Sequence, residues 1–170
     1  MLGSASRDLI QQTSESLAGR ISYYTLLGFR KEDVLQENLE RLWFRGGFPP
    51  SFLAGNDQMS CQWREDYIRT FLERDIPALG IRIPAETLRR FWQMVSHYHG
   101  SLINFSEIGR SFGIADTTVR HYIDILAGTF MVRVLPPWHV NIGKRLVKRP
   151  KLYFRDSGIF HALLAIETPE

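Results

Sequence analysis

Cysteine is almost missing from this chain: Cys61 is the single one among 170 residues. It can build neither an internal disulfide framework nor a cysteine-based metal site, and is expected to be a small core or interface residue. No apolar run reaches the roughly 20 residues that a bilayer crossing needs, and the N-terminus lacks a basic stretch followed by a hydrophobic one. A cytoplasmic protein without membrane contact is expected. Histidine is also sparse. His97 and His99 stand two apart in a helical pattern and so face away from each other, while His121 and His139 add no ligand spacing. No metal site is expected, and repeats and low-complexity tracts are absent.

What is present is the composition of a packed globular protein, 44% apolar with 12% aromatics. The formal charge is only +3, but it is unevenly placed. Lys144, Arg145, Lys148, Arg149, Lys151 and Arg155 follow one another with no acid until Asp156. Such a patch suits a polyanion, or solvates a hairpin edge and keeps it from pairing with other chains.

The most informative stretch is Asn104 to Leu126, NFSEIGRSFGIADTTVRHYIDIL. Asn104 and Glu107 have the spacing of a capping box, and Phe105, Ile108 and Phe112 share a face. Gly109 suits a close approach of two helices, and Gly113 the left-handed residue that ends one. A second helix restarts near Ala115 or Asp116 with Val119, Tyr122, Ile123 and Leu126 inward. Thr117, Thr118, Arg120, His121 and Asp124 are then available on the outside. After this helix-turn-helix, TFMVRVLPPW reads as a strand, KLYF as its returning partner, and the basic loop between them as a wing. Modules of this kind place the second helix in the major groove. Thr117, Thr118, Arg120 and His121 would then meet base edges, and Lys144, Arg145 and Lys148 phosphates. They also serve as protein-docking or lid modules, which Asp116 and Asp124 on that face would suit.

Upstream, Met1-Leu2 reads as the end of a buried strand, Gly3 to Ser6 as a small polar turn, and Ile21 to Thr25 as a further strand. An amphipathic helix is predicted over 29–45, with Val34, Leu35, Leu39, Leu42 and Trp43 inward, stopped by Gly46-Gly47. A proline-rich connection follows. A longer helix then runs through Trp63, Tyr67, Phe71 and Leu72 and ends before Pro77. Pro84 opens another, with Leu88, Phe91, Trp92 and Val95 on its inner face.

GSAS at Gly3, SESLAGR, RGGFP at Arg45 to Pro49, WREDYIRTFLERDIPAL at Trp63 to Leu79, the helix-turn-helix and KLYFRDSGI at Lys151 to Ile159 form a series spanning nearly all of the chain. The series resembles the C-terminal part of bacterial and archaeal AAA+ ATP-binding proteins that carry a C-terminal winged-helix domain of unknown function. The resemblance implies a mainly α chain in four parts. These are a remnant of the α/β ATPase core over 1–28, a helical lid over 29–83, a winged helix with a small hairpin over 84–155, and a short helical tail over 156–170. It implies ATP and magnesium for full-length relatives, with Ser4 resembling a polar sensor residue and Arg74 an arginine able to reach phosphates. The alternative for Arg74 is a helix-surface arginine paired with Glu73 or Asp75 or with a neighbouring helix.

The chain has no G-x-x-x-x-G-K-[ST] and no acidic strand end for magnesium, so it is expected to hold no cofactor and to be no ATPase by itself. Both ends are expected to be cut. The lid's apolar face should then be exposed or covered by self-association or a protein partner. No nucleophile with a base and no paired carboxylates are evident; Asp156 is a lone carboxylate. Three functions therefore stay open: the lid and winged-helix part of an ATP-binding protein that contacts double-stranded DNA, a stand-alone transcription regulator, and a protein-docking module.

Overall fold

A computed structural model describes residues 26–137 and 149–168. The predicted strands before Thr25, with Ser4, and the wing with Lys144, Arg145 and Lys148, lie outside the described residues. The rest is mainly helical with one small antiparallel sheet: α1 (Leu39–Arg45), α2 (Pro49–Phe52), α3 (Asp57–Thr70), α4 (Ala85–Ser96), α5 (Phe105–Phe112), α6 (Asp116–Gly128), β1 (Val132–Leu135), β2 (Lys151–Phe154) and α7 (Ser157–Leu163).

The helix predicted over 29–45 forms only as its last two turns, α1. Residues Lys31–Asp33 and Gln36–Asn38 make separate 3-10 turns instead. A continuous helix would hold residues 29 and 45 about 24 Å apart. The Phe29 N–H instead donates to the Gly47 carbonyl at 2.7 Å, and Asp33 closes its own turn by accepting the Arg30 N–H at 2.9 Å. The inner face differs from the predicted one as well. Leu35 and Trp43 are 66% and 60% exposed, while Phe44 and Arg45 are buried.

The predicted proline-rich connection contains a full helical turn, α2. Pro49 and Pro50 occupy its first positions, where no N–H is needed. Asn56 caps α3 by accepting the Met59 N–H at 2.8 Å. The helix does not stop before Pro77. It widens into a π-helical turn over Phe71–Asp75 and continues through Ile76–Ala78, with the Ile76 N–H donating to the Phe71 carbonyl five residues back. Proline lacks an N–H and its ring crowds the carbonyl four residues earlier, here that of Glu73; the wider turn lets the chain continue past both.

Pro84 precedes α4, whose Leu88, Phe91, Trp92 and Val95 are fully buried as the spacing predicts. A single apolar cluster runs from Ile68, Phe71, Leu72 and Ile76 through these residues to Val119, Ile123, Leu126, Val132, Leu152 and Leu163. The sheet pairs Val132 with Phe154 and Leu135 with Lys151. Residues before α5 add a partial third strand: Gly100 N–H donates to Leu152 O, Leu152 N–H to Ser101 O and Ile103 N–H to Pro150 O.

Helix α7 packs on the hairpin through Phe160 against Phe154. It also reaches across to α1, where Ser157 Oγ donates to the Leu42 carbonyl. No helix among the described residues is long and apolar enough to cross a membrane.

Candidate nucleic-acid interface

Helices α5 and α6 meet at a turn built by two glycines. Gly113 takes φ +70° as the left-handed end of α5, and a Cβ on Gly109 would stand 2.7 Å from the Ile114 carbonyl. The close approach is to the turn carbonyl and, at 3.6 Å, to the nitrogen of Asp116, the first residue of α6. Asn104 caps α5 weakly through the Glu107 N–H (3.4 Å), and Glu107 answers on the Asn104 side-chain amide at 3.0 Å. A reciprocal capping box would use the Asn104 backbone N–H instead.

On α6, Val119, Ile123 and Leu126 are buried and Tyr122 is half-buried, which turns Thr117, Arg120, His121 and Asp124 to solvent; Thr118 is half-buried. Two members of this outer face are already engaged. The Arg120 guanidinium sits 3.8 Å from the centre of the Phe105 ring, which fixes its direction at the cost of freedom. Asp116 accepts the Ser106 hydroxyl at 2.6 Å, tying the start of α6 to α5. The face presents both charge signs.

Arg74 is exposed on the π-helical turn. Among the described residues no carboxylate lies within ion-pair range of it, so the surface pairing with Glu73 or Asp75 does not form. His97 lies at the end of α4. His99 serves the fold instead, its Nδ1 accepting the Phe154 N–H at 3.1 Å. Among the described residues there is no group of three metal-ligating side chains.

The motifs RGGFP, WRED and RDSG, far apart in sequence, converge in one buried knot. Arg64, 1% exposed, donates from Nη1 to the Phe44 carbonyl at 3.0 Å and to the Gly158 carbonyl at 2.9 Å, with its guanidinium 5.0 Å from the Phe44 ring centre. Asp156 Oδ1 accepts the Ile159 N–H at 2.8 Å, and Oδ2 accepts the Gly47 N–H at 2.7 Å. Arg45 donates to Asp57 at 2.7 Å and to the carbonyls of Phe52 and Ala54. Ser51 Oγ donates to the Arg45 carbonyl at 2.6 Å. Burial holds the Asp156 carboxyl above its ordinary range, against the pull of those N–H donors and of Arg64. Most of these bonds run to backbone ends, the rest to the side chains of Asp57, Ser60 and Cys61, so the knot joins α1, α3 and α7. The lone carboxylate is a helix cap.

His161 lies in the same knot, its Nδ1 3.3 Å from the Phe44 carbonyl, and burial holds it below the ordinary imidazole value; burial does the same to His99. An unfolded chain takes up these protons near pH 6.5, whereas the folded one resists them. Stability is therefore fully present above about pH 6.5 and should fall as the pH drops below it. Urea midpoints measured across that range check this, and His161→Gln should flatten the slope.

A family model described as "Domain of unknown function (DUF8612)" matches residues 36–170. The chain is 52% identical over 167 residues to the uncharacterized proteins Rv2008c of Mycobacterium tuberculosis and Mb2031c of Mycobacterium bovis. The alignment covers 98% of this chain and 38% of each relative, so the chain spans little more than a third of their length. No solved structure matches the chain.

Proposed function

This chain belongs to the family described as a domain of unknown function, DUF8612, and from that premise we propose that residues 84–155 act as a winged-helix module binding double-stranded DNA. In this reading the module and the lid-like helices before it are the non-catalytic part of a longer AAA+ ATP-binding protein. The observation that carries it is the hydrogen bonding of residues 100–103 to β2. It supports an order of helix, short strand, two helices and hairpin in which the strand before the helix pair joins the hairpin, the arrangement a winged helix requires. Helix α6 then presents Thr117, Arg120 and His121 to base edges, and the loop between β1 and β2 brings Lys144, Arg145 and Lys148 to phosphates.

Nucleotide chemistry has little support in the residues at hand. Arg74 faces solvent, and Ser4 lies outside the described residues. ATP and magnesium belong, in this reading, to the part of the protein that the relatives possess beyond this stretch. A full-length relative that neither binds nor hydrolyses ATP would remove that half of the proposal.

Fluorescence anisotropy with a random-sequence duplex at two salt concentrations tests the DNA half. Binding should weaken steeply with salt. Reversing Lys144, Arg145 and Lys148 together should lower the log–log salt slope by about 2.7, at roughly 0.9 per lost phosphate contact. Arg120→Ala should cost about 1–3 kcal/mol on a preferred sequence. Absence of binding at low salt would favour a protein-docking module, the reading that Asp116 and Asp124 on the same face support.

A further inference from the structure

The hairpin carries a surface that the duplex reading leaves unused. Residues 129–155 hold seven of the 21 basic side chains and none of the 18 acidic ones, so the remaining chain has an excess of four acids. The pairing register sorts the hairpin into two faces. Val132, Leu152 and Phe154 are buried, while Arg133, Leu135 and Lys151 are exposed and Tyr153 is half-buried. Arg133 stands directly across from Tyr153, and Lys151 is two residues away on the same face, about 6.6 Å along the strand. The partial third strand extends this face. Leu102 pairs with Lys151, and the His99 ring meets Tyr153 edge-on with centroids 5.7 Å apart. Residues 97–103 contain no acid either.

We propose that this outer sheet face binds single-stranded nucleic acid, with Tyr153, buttressed edge-on by His99, as the stacking residue and Arg133 and Lys151 as the phosphate contacts. Charge complementarity selects a polyanion, since no carboxylate belongs to the segments that build the face. The aromatic and leucine side chains select unpaired bases. A duplex keeps its base faces stacked inside and offers such a surface only phosphates, whereas a single strand offers both π-faces and phosphates. A second copy of the chain is a poor occupant, because two-fold pairing would press Arg133 and Lys151 against their own counterparts without an acid between them. The surface is distinct from α6, and the inference stands whether or not the duplex reading does.

The test is anisotropy of the full chain with a labelled oligothymidylate about a dozen nucleotides long, a length within the usual site size, alongside a duplex of equal length. Arg133→Glu with Lys151→Glu should weaken oligothymidylate binding by tenfold or more and lower the salt slope by about 1.4, at roughly 0.7 per contact for single strands. Tyr153→Leu should weaken it about tenfold and leave the slope unchanged. Thr117→Ala with Arg120→Ala should leave this binding intact. Should a reversed variant lose its thermal melt, Arg133→Gln with Lys151→Gln carries the same prediction. The proposal is overturned if the oligomer is not bound at low salt, if the sheet variants bind it as the wild type does, or if oligoglutamate competes as well as oligothymidylate, which would assign the face to an acidic protein. Loss of duplex binding alone, with the oligothymidylate still held, would overturn only the α6 reading.

Discussion

Gly158→Ala is expected to destabilise the protein by about 3 kcal/mol or more, enough to threaten folding, although it adds a single methyl group. A Cβ at this position would meet the Arg45 carbonyl and stand 2.9 Å from the Gly46 nitrogen. These are backbone atoms at the end of α1 and cannot rotate aside. Relief therefore requires α7 to move away from α1, which lengthens the Arg64 bond to the Gly158 carbonyl and the Asp156 bond to the Gly47 N–H together. Gly46 is equally constrained, at φ +79° with the Asp156 carboxylate where its side chain would be. Gly128 provides the control. Nothing lies within 4 Å of a Cβ built there, its φ is not in the left-handed range, and it sits in α6. Gly128→Ala should be neutral or stabilise by up to about 1 kcal/mol. Urea unfolding followed by far-ultraviolet circular dichroism separates the two; equal midpoints would mean that α7 does not need its close approach to α1.

These glycines also mark how far the sequence could be read. Helices α4, α5 and α6 and the hairpin were legible because their signals are local: a full apolar stripe in α4, a glycine able to take φ +70° at 113, and a β1 run closed by Pro136. The outward set on α6 follows from the same stripe. Residues 29–38 misled because their apolar spacing suits a helix while a single bond from Phe29 to Gly47 forbids one. Pro77 looked like a stop because a proline ends a regular α-helix, and nothing local announces a π-helical turn. The knot was hidden for a different reason. Gly47 and Asp156 are 109 residues apart, and two short motifs give no sign that one side chain caps the other's backbone. The same holds for the outer sheet face. Arg133 and Lys151 are visible as charges, but only the register shows that they flank Tyr153 and that Leu102 joins them. The one clue available was the run of 31 residues, 125–155, without an acid.

Arg64→Met tests the knot from its cationic side and should destabilise by about 3–5 kcal/mol, although methionine keeps much of the apolar stem. The side chain is 1% exposed and serves, besides the Ser60 carbonyl and Cys61 Sγ of its own helix, two carbonyls of other elements, one at the C-terminal end of α1 and one in the first turn of α7. Removing it takes a charged donor from both carbonyls, leaving Phe44 only the His161 Nδ1 at 3.3 Å and Gly158 only its own helix, and withdraws a positive charge from the negative end of a helix. It also leaves the Asp156 carboxylate without the Arg64 charge that opposes the effect of its burial. Asp156 should then be protonated more readily in the folded state than in the wild type. A carboxyl whose folded value lies further above its unfolded one loses stability as the pH rises from the unfolded value through the folded one. The variant should therefore recover part of its deficit on acidification, where the two histidines make the wild type weaker. Lysine at this position should do better than methionine but worse than arginine, because its compact ammonium cannot reproduce the planar fork that spans Phe44 and Gly158. Urea midpoints of wild type, Arg64→Met and Arg64→Lys at neutral and mildly acidic pH decide the matter. If methionine matched arginine at neutral pH, the two carbonyls would have found other donors and the knot would not be what holds α7 to α1.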